Sequence, residues 1–176
     1  MKLQQLLIDE LRDLYSAETQ LISALPKMAK GASTEPLRNL IETHLEETRG
    51  QAERLKQIFE ELKEKPGGVT CKAMQGLVAE GSEQLEKKGD EVGDLAIIGA
   101  CVRVEHYEMA AYSTTINLAR ALGHERVASL LEETLNEEKE AAKKLVANSK
   151  PLIEQTSKAS GGEGAKHSHS ATVGHH

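Results

Sequence analysis

Four glutamates, Glu18, Glu47, Glu108 and Glu137, each stand inside a run of apolar residues with helical spacing. A carboxylate in such a place loses its hydration and is costly unless something neutralises it. The four are also related by position. Glu18 and Glu47 are 29 residues apart, as are Glu108 and Glu137, so the two halves of the chain superpose at an offset of 90 without a gap. Four ionised carboxylates that share a dry interior must be protonated, paired with cations or bound to metal. No Lys or Arg occupies the apolar seams around them. Hard and borderline cations favour carboxylate oxygens, so metal binding is the chemistry this set suits.

Neighbouring residues extend the donor set. His44 precedes Glu47 by three positions and Glu105 precedes Glu108 by three, a spacing that shares one helix face. Glu105 or Glu140 can complete an oxygen-rich site, and Gln51 is expected to support a ligand. Tyr15 and Tyr107 are candidates for hydrogen-bonding or radical roles beside a metal, although packing is the commoner use of tyrosine. His106 is expected to point away from Glu108. Cys71 and Cys101 read as small apolar fillers.

The elements that must position these groups are helices. Residues 2–30 carry Leu7, Leu11, Leu14, Leu21, Leu25 and Met28 at 4-3 spacing, with Glu18 in the one missing seam position. Residues 35–64, 92–121 and 125–147 read as three more helices, the first of them ended by Pro66-Gly67-Gly68. The repeat recurs outside the glutamates, with Leu40 over Leu130, Leu45 over Leu135, Ala52 over Ala142 and Leu55 over Leu145, which points to a duplicated helical hairpin. Between the hairpins, residues 65–90 form a long crossover with helical composition from Cys71 to about Lys88. Each pair of glutamates lies about 20 Å from its hairpin turn at 1.5 Å per residue. Two such hairpins packed side by side bring four carboxylates to one level.

Composition supports an all-α chain of one domain. Aromatics make up only 2% of the 176 residues, and strands favour aromatic and β-branched side chains. The net charge of −6, with no basic block, speaks against a nucleic-acid partner. No apolar run reaches the roughly 20 residues of a membrane span. Two cysteines make no disulfide framework, and no signal peptide is read at the N-terminus, so a cytoplasmic location is expected. The predicted architecture is a four-helix bundle over residues 1–150, with a long crossover carrying a short extra helix. Pro151 is expected to stop the last helix. Residues 151–176 read as a disordered tail with His167, His169, His175 and His176.

Ferritin-like di-iron and di-manganese bundles combine four inward glutamates with two histidines in Glu-x-x-His motifs. This chain has Gly50 three after Glu47 and Glu140 three after Glu137, so neither histidine is in that place. The stretches LRDLYSAETQLISALPKMA, HLEETRGQAERLKQIFE, CKAMQGLVAEG and VEHYEMAAY, between residue 11 and about residue 145, resemble the YciE/YciF-type ferritin-like proteins. The resemblance implies a ferritin- or rubrerythrin-like dinuclear site, frequent dimers and a part in bacterial stress responses, and it leaves the reaction open.

The expected function is therefore a protein binding two metal ions per chain, iron or manganese, through Glu18, Glu47, Glu108, Glu137, His44 and Glu105. Reduction of peroxide or dioxygen at a carboxylate-bridged pair is the enzymatic form of this reading. Iron storage without turnover and a structural bundle with a vestigial site are the alternatives. The expected partners are metal ions and a second copy in a homodimer, with neither nucleic acid nor membrane.

Overall fold

The computed structural model describes residues 1–163. Five α-helices follow in order: α1 (Leu3–Gly31), α2 (Glu35–Leu62), α3 (Lys72–Gln84), α4 (Glu91–Ala121) and α5 (Glu125–Glu163), with a 3-10 turn at Leu85–Lys87 after α3. The four long helices match the four expected from apolar periodicity, and α3 is the short helix of the crossover. No described helix is long and apolar enough to cross a membrane.

The long helices pack as two hairpins, α1 on α2 and α4 on α5, which join through α1–α4 and α2–α5 contacts, while α3 lies against α1 and α4. The apolar core divides into two clusters. One holds Leu21, Leu25, Leu37, Ile41, Ile97, Cys101 and Leu145. The other holds Leu7, Leu11, Leu14, Leu55, Ile58, Tyr112, Leu131 and Leu135. Each long helix runs from one cluster to the other, and the order in which it meets them makes every neighbouring pair antiparallel. The two hairpin turns consequently lie at opposite ends of the bundle. Glutamates near the middle of each hairpin still meet at one level, because that level is the centre of the bundle.

Local chemistry fixes the turns. The buried carboxylate of Asp94 on α4 accepts from the Ser33 N–H at 2.7 Å, the Thr34 N–H at 2.9 Å and the Thr34 hydroxyl. Thr34 is the N-cap residue of α2, but its hydroxyl is spent on Asp94 and does not cap the helix. This bond set ties the α1–α2 turn to the start of α4. At the other end, Gly123 adopts φ 77°. The His124 N–H then reaches the Ala119 carbonyl at 2.9 Å and the Gly123 N–H that of Arg120 at 2.9 Å, a left-handed helix stop that glycine makes without a Cβ clash.

The last helix corrects one expectation. Pro151 lies within α5, which continues to Glu163. A proline removes one helical N–H and crowds the preceding turn, but the apolar contact of Leu152 with the core cluster holds the helix past it. Gln155 also donates to Glu91 at 3.1 Å. The tail histidines, His167, His169, His175 and His176, lie outside the described residues.

Candidate metal centre

A polar layer separates the two apolar clusters. On α1 it holds Glu18; on α2, His44, Thr48 and Gln51; on α4, Glu105, Glu108 and Thr115; and on α5, Thr134 and Glu138, all of them buried. Ligand atoms of His44, Glu105, Glu108 and Glu138 lie within 4.8 Å of one another. Among the described residues, Glu18 Oε2, His44 Nε2, Glu105 Oε2, both Glu108 oxygens and Glu138 Oε2 have no hydrogen-bond partner. Buried polar atoms are normally satisfied, so six orphaned ligand atoms at one level form a donor set suited to something that accepts electron pairs.

Of the sequence-derived candidates, Glu18, His44, Glu105 and Glu108 come together here. Glu47 and Glu137 do not face inward, and this corrects the expected seam. Their side chains are 32% and 31% exposed, at the rim. Inward positions on α2 are Leu37, Ile41, His44, Thr48, Gln51, Leu55 and Ile58, and on α5 Val127, Leu131, Thr134, Glu138, Ala141 and Leu145. Both series step by four and three without interruption. In that register the acid of α5 is Glu138, and the matching place on α2 is Thr48. The 90-residue offset holds for these inward positions too, for it carries Thr48 onto Glu138. Glu138 was legible in the spacing between Thr134 and Ala141, once helical register is given more weight than matching glutamates. Glu140 is exposed and bound to Lys143 at 2.7 Å.

The rim residues hold the layer in place. Glu47 Oε2 lies 3.1 Å from His44 Nδ1. On the other side of the ring, His44 Nε2 is 3.0 Å from Glu105 Oε1 and 3.7 Å from Glu138 Oε2. The Nε2–Glu105 approach is an ion-pair contact and not a hydrogen bond. Arg54 binds Glu137 at 2.9 Å and Glu133 at 3.4 Å. Gln51 donates to Glu137 at 3.0 Å and also to Glu138.

The tyrosine bonded to the layer is Tyr112, which was not among the candidates. Tyr112, fully buried, donates its hydroxyl to Glu18 Oε1. It lies one turn after Glu108 in the α4 seam, a place that would have identified it. Tyr15 packs edge-on against Phe59 with ring centroids 6.2 Å apart. Tyr107 donates to Asp13 at 2.9 Å and lies 3.0 Å from the Cys71 thiol. His106 is exposed, as expected.

Electrostatics follow from burial. Without metal, desolvation raises Glu18 to about 7, against the hydrogen bond from Tyr112 that favours its ionised form. Burial, followed by repulsion from Glu18 and Glu138, lifts Glu108 well above the carboxylate range. Glu138 rises through burial and its contact with Glu105. Burial works against the His44 imidazolium, but Glu105, Glu47 and Glu138 together outweigh it and hold its pKa well above the usual value. A site that draws protons at neutral pH is one that divalent cations can discharge.

Residues 2–158 match the family described as Domain of unknown function (DUF892). Protein YciF of Escherichia coli K12 is 46% identical over 139 residues, covering 78% of this chain and 84% of that protein. The crystal structure of the E. coli stress protein YciF superposes with a TM-score of 0.84 at 42% identity, over 88% of this chain and 98% of that one. YcfI from Rhodopseudomonas palustris gives a TM-score of 0.79 at 44% identity, over 82% and 93% of the two chains. A dodecameric thioferritin from Bacteroides fragilis shares the fold at 18% identity, with a TM-score of 0.67 over 90% of this chain and 92% of that one. The bundle is therefore ferritin-like, and the chain belongs to the DUF892 family together with E. coli YciF.

Proposed function

We propose that this chain binds two divalent ions of iron or manganese within the polar layer and serves in a bacterial stress response by reducing peroxide or dioxygen. The observation that carries the reading is the charge count at the centre. Four buried carboxylates, Glu18, Glu105, Glu108 and Glu138, match the positive charge of two divalent cations, and each keeps at least one unpartnered oxygen. His44, Glu105, Glu108 and Glu138 would hold one ion, and Glu18 and Glu108 the other. A redox-active ion there would supply the electron transfers that such a reduction needs.

The remaining residues prepare the site. Tyr112 and Gln51 donate to Glu18 and Glu138 and so orient two carboxylates. Glu47 fixes the His44 ring through Nδ1. Half-exposed Glu47 thereby ties the buried His44 imidazole to the rim of the layer. The stress setting is supported by likeness to the E. coli relative, which is called a stress protein. A homodimer in the cytoplasm completes the proposal.

Elemental analysis of protein purified without its histidine-rich end tests the reading. About two iron or manganese ions per chain are expected, with marked loss in Glu108→Ala. No uptake after anaerobic ferrous or manganous loading would overturn it in favour of a structural bundle. Uptake without peroxide or dioxygen consumption would make the ion a stored cargo.

A further inference from the structure

A second polar cluster, formed by Asp13, Cys71 and Tyr107, lies where the crossover meets α1 and α4. It shares no residue with the acidic layer, although Tyr107 adjoins Glu108 in α4. The Tyr107 hydroxyl donates to Asp13 Oδ2 at 2.9 Å. That bond uses the one hydrogen of the phenol, so the contact with Cys71 Sγ at 3.0 Å is made by the thiol hydrogen. The Met74 N–H donates in turn to Cys71 Sγ at 3.4 Å. The bonds therefore run one way, from Met74 through Cys71 and Tyr107 to the Asp13 carboxylate. The Cys71 backbone is held on both sides, because its N–H donates to Ser16 Oγ at 2.8 Å and its carbonyl accepts from Gln20 at 3.1 Å.

We propose that this cluster is a one-electron relay in which Tyr107 is oxidised and Cys71 restores it. The oxidant is a one-electron acceptor formed from peroxide. An electron leaves the Tyr107 ring for that acceptor, and the hydroxyl proton passes to Asp13 along the existing bond. The Cys71 S–H bond then breaks, its hydrogen atom re-forms the Tyr107 O–H bond, and the unpaired electron stays on sulfur. In sum the acceptor gains one electron, Asp13 gains one proton and Cys71 becomes a thiyl radical.

Three observations carry this. The chain has no Trp and three tyrosines, and among the described residues Tyr107 alone of the three bonds both a carboxylate and a thiol. Cys71 is 1% exposed, so it has almost no direct contact with oxidants in solvent, while the phenol bonded to it is only half-buried. Burial also raises the Cys71 thiol above its usual value, so it keeps its hydrogen. The thiolate is the nucleophilic form, which leaves donation of a hydrogen atom as the chemistry open to this thiol. The hydrogen-bond chain stands without metal. Only its use in draining oxidant from the acidic layer rests on the function proposed above.

The full-length protein, free of metal, is exposed to azide radicals generated by pulse radiolysis. Tyrosyl radical is followed by optical absorption and electron paramagnetic resonance. The expected signal has a short-lived part from Tyr107. That part should live at least about tenfold longer in Cys71→Ser, because serine keeps the hydrogen bonds but its O–H bond is too strong to yield a hydrogen atom to a phenoxyl radical. Tyr107→Phe should abolish the short-lived part and leave a slower signal from the other tyrosines. Asp13→Asn should slow the formation of the Tyr107 radical, since an amide does not take up the proton. Cys101→Ala removes a thiol outside the cluster and should leave the decay unchanged. Thermal melts check the folding of each variant. Equal decay in the parent and folded Cys71→Ser is what a merely structural cluster would give, and it would overturn the relay. So would a short-lived signal that survives Tyr107→Phe, or a decay that depends on Cys101. Unchanged radical formation in Asp13→Asn would overturn the part given to Asp13. The oxidant is supplied without metal, so the relay and the metal proposal can each fail while the other stands.

Discussion

Tyr112 on α4 reaches across the bundle and donates its hydroxyl to Glu18 on α1, with both side chains fully buried. This bond holds together two helices from different hairpins at the level of the acidic layer. It also favours the ionised form of Glu18, against the desolvation that raises it. Tyr112→Phe should therefore destabilise the metal-free protein by about 1–3 kcal/mol at neutral pH, because a buried acceptor loses its donor. Urea unfolding of the two apo proteins measures this. Metal content should remain close to that of the parent, since the oxygens of Glu18 stay in place.

Adjacent glutamates on α5 have opposite environments. Glu138 is buried against His44 and Gln51, whereas Glu137 sits at the rim with Arg54. Glu138→Ala should cost at least half of the bound metal, and Glu137→Ala should leave the metal content nearly intact. Elemental analysis of the two variants, loaded in parallel, compares them directly. The reverse ranking would mean that Glu137 turns inward when metal binds.

Glu47 acts on the centre only through His44. Its loss frees the imidazole to rotate and removes a partner that keeps Nδ1 protonated. For such supporting contacts, metal affinity typically drops about 10–100-fold. Glu47→Ala should accordingly still fill at high metal concentration but release metal to a weak competing chelator. Chelator competition curves for parent and variant report the difference.

The pH dependence of the apo protein has a definite sign. Glu18 titrates near 7 in the folded state against 4.5 as an ordinary carboxyl, and Glu108, Glu138 and His44 are shifted in the same direction. The folded protein therefore binds more protons than the unfolded chain, and stability falls as pH rises. For Glu18 the loss develops between pH 4.5 and about 7 and amounts to about 3 kcal/mol. The His44 contribution is present below its ordinary value of 6.5 and is lost at higher pH. Melting temperatures of the apo protein should decline from pH 5 to pH 8, and metal loading should flatten or reverse that slope. A rise in apo stability over that range would show that the buried acids are already neutralised by some other means.

Much of the fold was legible in the residues because each level of information agreed. Leu7, Leu11, Leu14 and Leu21 define one seam, and a charge at Glu18 within it can only be inside. The same logic found Glu108, and the spacing from each turn correctly put both at mid-bundle. It misplaced Glu137 for Glu138 because neighbouring helix positions differ by about 100° around the axis. Matching the glutamates of two halves outweighed the unbroken register of Leu131, Thr134, Ala141 and Leu145. The continuation of α5 past Pro151 was likewise hidden, since local propensity opposed it and a core contact of Leu152 supplied the reason.

What the sequence determined by itself is the all-α bundle, its duplicated hairpins and the presence of carboxylates in the interior. Periodicity and composition are local properties, and burial of an apolar face follows from them. Only the tertiary structure decided that Glu105 and His44 meet Glu138 across three helices, that Tyr112 holds Glu18, and that Asp94 ties the α1–α2 turn to α4. Those pairings depend on how helices from opposite ends of the chain are rotated against one another. That rotation is set by the packing of the whole core and not by any one segment.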